Sequence, residues 1–126
     1  MTNLNIPEGY QTVMPYLILR DANGFLDFTK KVFNATEKMK HMSNEQLIMH
    51  AEIQIDGSTI MFAESTEDYQ PQTAGLFVYV KNADETYQTA LNYGATSILA
   101  PRDQDYGRSA GIKDPCGNTW WITTAN

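Results

Sequence analysis

An internal repeat constrains the fold of this chain more than any other feature of its sequence. The segment PYLILRDA aligns with LFVYVKNA, which sets residues 20–22 over residues 81–83. The segment DGSTIMF aligns with CGNTWWI, which sets Gly57 over Gly117. Because the two matches occur in the same order, we interpret the chain as one structural unit used twice.

Each half contains the same predicted order of elements, βαβββ. In the first half, residues 12–20 read as a strand, Asp21 as a helix N-cap and residues 22–33 as a helix that ends at Asn34. Strands are predicted at residues 36–42, 47–55 and 58–63. Asp56-Gly57 lies between the last two and is typical of a hairpin turn.

The second half restarts the pattern after a polar stretch. A strand is predicted at residues 75–80, a helix at residues 83–93 with Gly94 as its C-cap, and strands at residues 96–100, 108–113 and 118–123. Residues 65–73 (STEDYQPQT) read as a connecting loop. We therefore predict one domain, with module one at about 12–64, a linker at 65–73 and module two at about 74–124.

Composition excludes several classes of function. The net charge is −6 and the sequence pI about 4.7, and an acidic surface repels phosphate backbones, so we expect no nucleic-acid partner. No apolar run approaches the roughly 20 residues of a membrane span, so we expect no membrane partner. The single cysteine cannot form an intramolecular disulfide, and we expect a cytoplasmic location.

The predicted strands have two different faces. Leu17, Leu19, Leu76 and Val78 share the faces that suit packing against the helices. The opposite faces carry larger or more polar side chains: Tyr16, Met61, Phe77, Tyr79 and Trp121. Such a mixture is typical of a small-molecule cavity, although it also suits contact with another sheet or subunit.

The C-terminal run YGRSAGIKDPCGNTWWI, with the repeat, resembles the vicinal oxygen chelate superfamily, which includes glyoxalase I, extradiol dioxygenases and bleomycin-binding resistance proteins. The segments PYLILRDANGFLDFTKKVFNA and IMHAEIQIDGSTIMFAE are most similar to its PhnB-like branch. The resemblance implies an α+β fold in which two tandem βαβββ modules form a curved mixed sheet around a cavity. It also implies a homodimer whose cavities form where modules meet.

The resemblance also implies where a metal would be bound. Metal-using members place His and Glu ligands on the first and last strands of each module, and these positions fall near Met14, Met61, Gly75 and Trp121. None of the four side chains supplies the oxygen or nitrogen donors that such ions need. We therefore predict no metal and no cofactor.

The remaining candidate residues lie in strands and turns. His50 and Glu52 share one face of a strand, where His50 is a candidate catalytic base or a structural histidine. Their Cα atoms are expected to be roughly 6.5–7 Å apart, too far for a tight two-ligand metal site. Tyr106 and Arg108 are candidate ligand contacts, although Arg108 is also placed to pair with Asp103 or Asp105.

The leading hypothesis is a metal-independent small-molecule-binding protein of the bleomycin-resistance and PhnB-like type. An aromatic or cationic ligand would contact the ligand-binding candidates: Tyr16, Met61, Phe77, Tyr79, Tyr106, Arg108 and Trp121. The alternative is a lyase, isomerase or dioxygenase of the superfamily, with a displaced metal or a metal-free acid/base site at His50. Glu52 is the second candidate catalytic residue. Cys116 is not expected to be nucleophilic, because Asp114 lies beside it.

Overall fold

The chain folds into two consecutive βαβββ units, as the repeat predicts. The computed structural model describes residues 4–126. Module one comprises β1 (Tyr16–Leu19), α1 (Ala22–Phe33), β2 (Thr36–Met42), β3 (Ile48–Ile55) and β4 (Ser58–Glu64). Module two comprises β5 (Gly75–Tyr79), α2 (Ala83–Asn92), β6 (Thr96–Gln104), β7 (Gly107–Lys113) and β8 (Thr119–Ala125).

Each module forms its own four-stranded mixed sheet. The strand orders are β1-β4-β3-β2 and β5-β8-β7-β6, so the two sheets have the same topology. In each sheet the first and last strands of the module pair in parallel, and the other pairs are antiparallel. This arrangement confirms the α+β prediction of two tandem modules.

The two helices supply one shared core. The apolar stripe of α1 is buried, including Phe25 and Phe33. Trp120 from β8 is 1% exposed, and its ring centroid lies 4.4 Å from that of Phe33 and 6.4 Å from that of Phe25. Module two therefore completes the hydrophobic core of module one.

Local sequence signals account for the helix ends. The Asp21 side chain accepts a hydrogen bond from the backbone N–H of Gly24, and Asn34 ends α1 at φ 58°, as predicted. The prediction for the end of α2 was wrong by one residue. This helix ends at Asn92 with Tyr93 as its cap, and Gly94 follows in the left-handed region at φ 102°.

The strand predictions were confirmed in order but not in every bound. The strand predicted at residues 12–20 is only Tyr16–Leu19, because Pro15 has no N–H to continue the ladder. The turn at Asp56-Gly57 has positive φ at both residues, which is the geometry expected of a tight hairpin. Strand β6 runs to Gln104 rather than to residue 100.

The linker follows the free edge of module one. Gln72 forms an isolated antiparallel bridge with Ile18, through backbone hydrogen bonds of 2.8 and 3.1 Å. This bridge covers part of the exposed edge of β1 and keeps residues 65–73 close to the first sheet.

Within the described residues, no helix is long and apolar enough to cross a membrane.

Candidate functional site

Each sheet has one face against the helices and one open face. Leu17 and Leu19 are buried on the helix-covered face, whereas Tyr16 points to the open face, as the alternation predicts. In module two, Phe77 and Tyr79 are exposed on the open face. The open faces of the two sheets carry almost all of the predicted ligand contacts.

Three aromatic rings on strands of the second sheet and one in the β6–β7 turn form what we call the aromatic face: Phe77, Tyr79, Trp121 and, in the turn, Tyr106. The ring of Phe77 lies 5.2 Å from that of Tyr79 and 6.3 Å from that of Tyr106, centroid to centroid. Phe77 and Trp121 are register partners on β5 and β8. The structure thus brings together four of the residues that the sequence indicated.

The indole of Trp121 lies across Gly111 on the neighbouring strand. A Cβ added at Gly111 would come within 2.5 Å of Cζ3 and 2.8 Å of Cε3 of the indole. Only a residue without a side chain allows the ring to occupy this position. Trp121 therefore presents part of its ring to solvent while it remains supported by the sheet.

The aromatic face is open within a single chain. Its four side chains are between 37% and 67% exposed, so they do not enclose a ligand by themselves. A cavity of about 320 Å³ at the junction of the modules includes Phe77 and Tyr79, together with Gln11 and Thr59. Gly75 lies beside the face, and nothing lies within 4 Å of a Cβ added there.

Arg108 does not join the aromatic face. Its guanidinium binds the Asp84 carboxylate through Nε at 2.9 Å and Nη2 at 3.1 Å, and it contacts Asp103 through Nη1 at 3.3 Å. Asp84 lies in the first turn of α2, so Arg108 lies on the helix-covered side of β7. These hydrogen bonds raise the pKa of Arg108 and lower that of Asp84. The structure therefore favours the ion-pair interpretation of Arg108 and places this side chain on the opposite side of the sheet from the aromatic face.

On the first sheet, Tyr16 is linked to His50 and Glu52 by hydrogen bonds. The Tyr16 hydroxyl lies 2.9 Å from Nδ1 of His50, and Nε2 of His50 lies 2.8 Å from Oε2 of Glu52. The hydroxyl of Tyr10 donates to the other oxygen, Oε1, of Glu52. We call these four residues the Tyr16 relay.

The charge state of Glu52 follows from its partners. Burial of this carboxyl opposes ionisation, but the hydrogen bonds from Tyr10 and His50 outweigh burial and lower its pKa. Lys38 contributes in the same direction, and its Nζ lies 3.9 Å from the centroid of the Tyr10 ring. Glu52 is therefore a buried, ionised carboxylate that accepts hydrogen bonds from both sides.

The direct contact between His50 and Glu52 was missed by sequence reasoning. The spacing of Cα atoms along a strand argued against a tight two-ligand metal site, and it did not indicate that the two side chains converge to a distance of 2.8 Å between Nε2 and Oε2. Met61, the register partner of both Tyr16 and Glu52, lies between them on β4. The predicted candidates Tyr16, Met61, His50 and Glu52 therefore lie together on the first sheet, away from the aromatic face.

A second feature that the sequence did not reveal is a cavity of about 1040 Å³ beside the first sheet. Its walls come from Tyr16 and Ile18 of β1, from the β2–β3 turn and from the linker. Three acidic residues, Glu45, Glu64 and Asp68, line it, and no Lys, Arg or His is among the described residues that do. The carboxylate of Glu64 accepts hydrogen bonds from the backbone N–H groups of Asp21 and Ala22. The folded linker creates this space, and no short motif encodes it.

The residues at the positions expected for a metal do not fit one. The four positions are Met14, Met61, Gly75 and Trp121, which offer two thioethers, a glycine without a side chain and an indole. Strand register adds the phenol of Tyr16 beside Met61 and the phenyl ring of Phe77 beside Trp121. A divalent ion of the kind used in this type of site needs carboxylate or imidazole donors. Among residues 4–126, no group of three His, Cys, Asp or Glu side chains is placed to hold a metal ion.

Two parts of the C-terminal motif are structural. Asp114 is buried, and its carboxylate accepts hydrogen bonds from the backbone N–H groups of Cys116 and Asn118 and from the side chains of Asn118 and Trp120. Burial and then the charge of Asp114 raise the pKa of Cys116 to about 12, so its thiol is not nucleophilic at neutral pH. The hydrogen bonds of the Asp-Pro-Cys-Gly turn therefore hold the start of β8 in place.

Comparison with known proteins assigns the chain to a superfamily. Residues 11–122 match the family model of the Glyoxalase/Bleomycin resistance protein/Dioxygenase superfamily. The chain is 30% identical to an uncharacterized protein of Mycobacterium bovis, over 84% of this chain and 78% of that protein.

Solved structures show the same fold at lower identity. The PhnB protein of Bacillus cereus superposes with a TM-score of 0.72 at 13% identity, over 91% of this chain and 100% of that chain. TnmS3, an antibiotic binding protein from Streptomyces sp. CB03234, superposes with a TM-score of 0.71 at 14% identity, over 93% of this chain and 100% of that chain.

Proposed function

Because the chain belongs to the glyoxalase/bleomycin resistance protein/dioxygenase superfamily, we propose that it is a metal-independent small-molecule-binding protein of the bleomycin-resistance and PhnB-like type. The observation that carries this proposal is the aromatic face, in which solvent-exposed rings lie on a rigid sheet. Soluble domains seldom leave several neighbouring aromatic rings exposed unless a partner or ligand covers them. The antibiotic-binding role given to TnmS3, which has the same fold, supports this function.

The ligand class follows from the chemistry of these rings. Flat aromatic groups stack on Trp121 and Phe77, and organic cations are attracted to the faces of the same rings. The net charge of −6 favours a cationic ligand over an anionic one. We therefore propose a planar aromatic or cationic ligand.

The open faces also support a homodimer. In a single chain the aromatic face is uncovered, and the Tyr16 side of the first sheet is covered only in part, by N-terminal residues such as Tyr10. A second copy that sets its first sheet opposite the aromatic face would enclose both surfaces. Sedimentation equilibrium tests this proposal, and a purely monomeric protein at micromolar concentration would contradict it.

Titration calorimetry with bleomycin and with the planar cation acridine orange tests the binding function. We expect at least one of them to bind the unmodified protein, and we expect Trp121→Ala to raise its Kd. Loss of one stacking or cation–π contact is worth about 1–2 kcal/mol, or roughly a 5- to 30-fold rise.

Arg108→Gln is the matched control, because it changes the other side of the same sheet. This variant should leave the Kd within about 3-fold, since Arg108 contacts Asp84 and Asp103 rather than the aromatic face. Failure of both compounds to bind, or an unchanged Kd in Trp121→Ala, would refute the proposed site.

A further inference from the structure

The Tyr16 relay has the connectivity of a proton-transfer chain. An ionised carboxylate, an imidazole and a hydroxyl follow one another from Glu52 through His50 to Tyr16, with heavy-atom distances of 2.8 and 2.9 Å. Serine hydrolases use the same order of groups to activate a hydroxyl. The aromatic face plays no part in this arrangement.

The hydrogen-bond partners fix the proton positions in the relay. Ionised Glu52 can only accept, so the proton of neutral His50 lies on Nε2. Nδ1 of His50 then accepts the hydrogen bond from the Tyr16 hydroxyl. Burial and the charge of Glu52 raise the pKa of Tyr16, so the phenol keeps its proton until that proton passes to His50.

Tyr16 is the member of the relay that reaches a substrate-sized space. It lines the cavity of about 1040 Å³, and His50 and Glu52 do not. The side chain of Tyr16 is partly exposed, whereas Glu52 is buried. The reactive end of the relay therefore faces the cavity, and its charged end is shielded from water.

We propose that Tyr16 is a metal-free acid–base catalytic residue at this cavity, with His50 and Glu52 as its proton acceptor and positioning residue. The oxygen of Tyr16 takes a proton from the substrate while the phenolic proton passes to Nδ1 of His50. Glu52 stabilises the imidazolium that forms. Return of the proton to another atom of the same substrate would complete an isomerisation.

The cavity walls restrict the substrate class. Their described residues include the acidic residues Glu45 and Asp68 and no Lys, Arg or His, so no cationic side chain there stabilises a localised anion. Substrates are therefore expected to be carbon acids that are neutral or positively charged, and that leave a neutral or delocalised product when they lose a proton.

The base-promoted ring opening of 5-nitrobenzisoxazole tests the activity with a defined probe. The base removes the proton on C3, the C–H electron pair forms the nitrile, and the N–O bond breaks to release a coloured phenolate. His50 then returns its extra proton to water. The negative charge is delocalised in the nitrophenolate, so the probe needs no cation from the protein.

We expect the protein to accelerate this reaction and Tyr16→Phe to lower the rate about 100-fold, the usual contribution of a positioned base. Tyr93→Phe is the matched control, because it removes the same hydroxyl from a half-exposed tyrosine that lies outside both the cavity and the relay. The control should stay within about 3-fold of the unmodified rate. Equal rates for Tyr16→Phe and Tyr93→Phe, or no acceleration, would overturn the proposal.

A test of the positioning role of Glu52 requires a measurement that a loss of stability alone would not change. Nitrogen NMR of the histidine rings reports which nitrogen of His50 carries the proton. We expect the Nε2–H form in the unmodified protein, and loss of that preference together with a roughly 10- to 100-fold slower reaction in Glu52→Gln. An unchanged tautomer and rate would contradict the positioning role. Binding of acridine orange is a separate outcome, since it depends on Trp121.

Discussion

The buried carboxylate of Asp114 offers a sharp test of how the C-terminal motif stabilises this fold. Oδ1 accepts from two backbone N–H groups at 2.9 and 3.0 Å, and Oδ2 accepts from Nδ2 of Asn118 at 3.0 Å and Nε1 of Trp120 at 2.8 Å. The substitution Asp114→Asn keeps the shape of the side chain. It replaces one acceptor oxygen with an NH₂ group that faces donors.

The expected cost follows from this geometry. If the amide oxygen keeps the two backbone bonds, two buried donors lose their acceptor, at about 1–3 kcal/mol each. We therefore expect Asp114→Asn to lower the free energy of unfolding by about 4 kcal/mol. For a chain of 126 residues this corresponds to a fall in Tm of roughly 10–20 °C.

Thermal and urea unfolding followed by circular dichroism measure this loss. Asp103→Asn is the matched control, because the Asp103 side chain is 87% exposed and has one hydrogen bond of 3.3 Å to Arg108. The control should lose less than about 1 kcal/mol. A loss of under about 1 kcal/mol in Asp114→Asn would refute the reasoning that these four hydrogen bonds hold β8 in place.

Two further predictions concern the open faces. Gly111→Ala should displace the indole of Trp121 and weaken binding of the aromatic probe by about 3- to 10-fold without removing a ring, at a stability cost of about 1–3 kcal/mol. Gly75→Ala should change neither the Kd of the probe nor the stability, because nothing lies within 4 Å of a Cβ added there. Equal Kd values for the Gly111→Ala and Gly75→Ala variants in titration calorimetry would contradict the stacking geometry. Folding lowers the pKa of Glu52 from its ordinary value of 4.5. The ionised carboxylate therefore stabilises the fold above pH 4.5, and this stabilisation is lost as the pH falls through the lower pKa of the folded state. The stability difference between the unmodified protein and Glu52→Gln should therefore be larger at pH 7 than at pH 3 in urea titrations, and a constant difference would argue against the ionised carboxylate.

The architecture was predictable because it is encoded in local periodicity. Alternation placed Leu17 and Leu19 inward and Tyr16 outward, and the spacing of apolar residues marked both helices. Turn chemistry at Asp56-Gly57 identified a hairpin. Each of these signals is read from neighbouring residues, so the fold class and the aromatic face followed from the sequence.

The relay and the cavity were not predictable in the same way. Tyr16 lies 34 residues before His50, and Tyr10 lies 42 residues before Glu52, so only the sheet register brings them together. Likewise, Asp84 lies 24 residues from Arg108, which is why sequence reasoning considered only Asp103 and Asp105 as partners. The large cavity depends on the path of the linker, which a polar composition does not specify.

The adjacent tryptophans of β8 give this chain two independent optical reporters. Trp120 is 1% exposed in the shared core, whereas Trp121 is 37% exposed on the opposite side of the same strand. The emission of Trp120 should shift to longer wavelength only when the core opens, and a soluble quencher should reach Trp121 first. Emission spectra recorded with and without the quencher can therefore report folding and surface occupancy separately, without any added label.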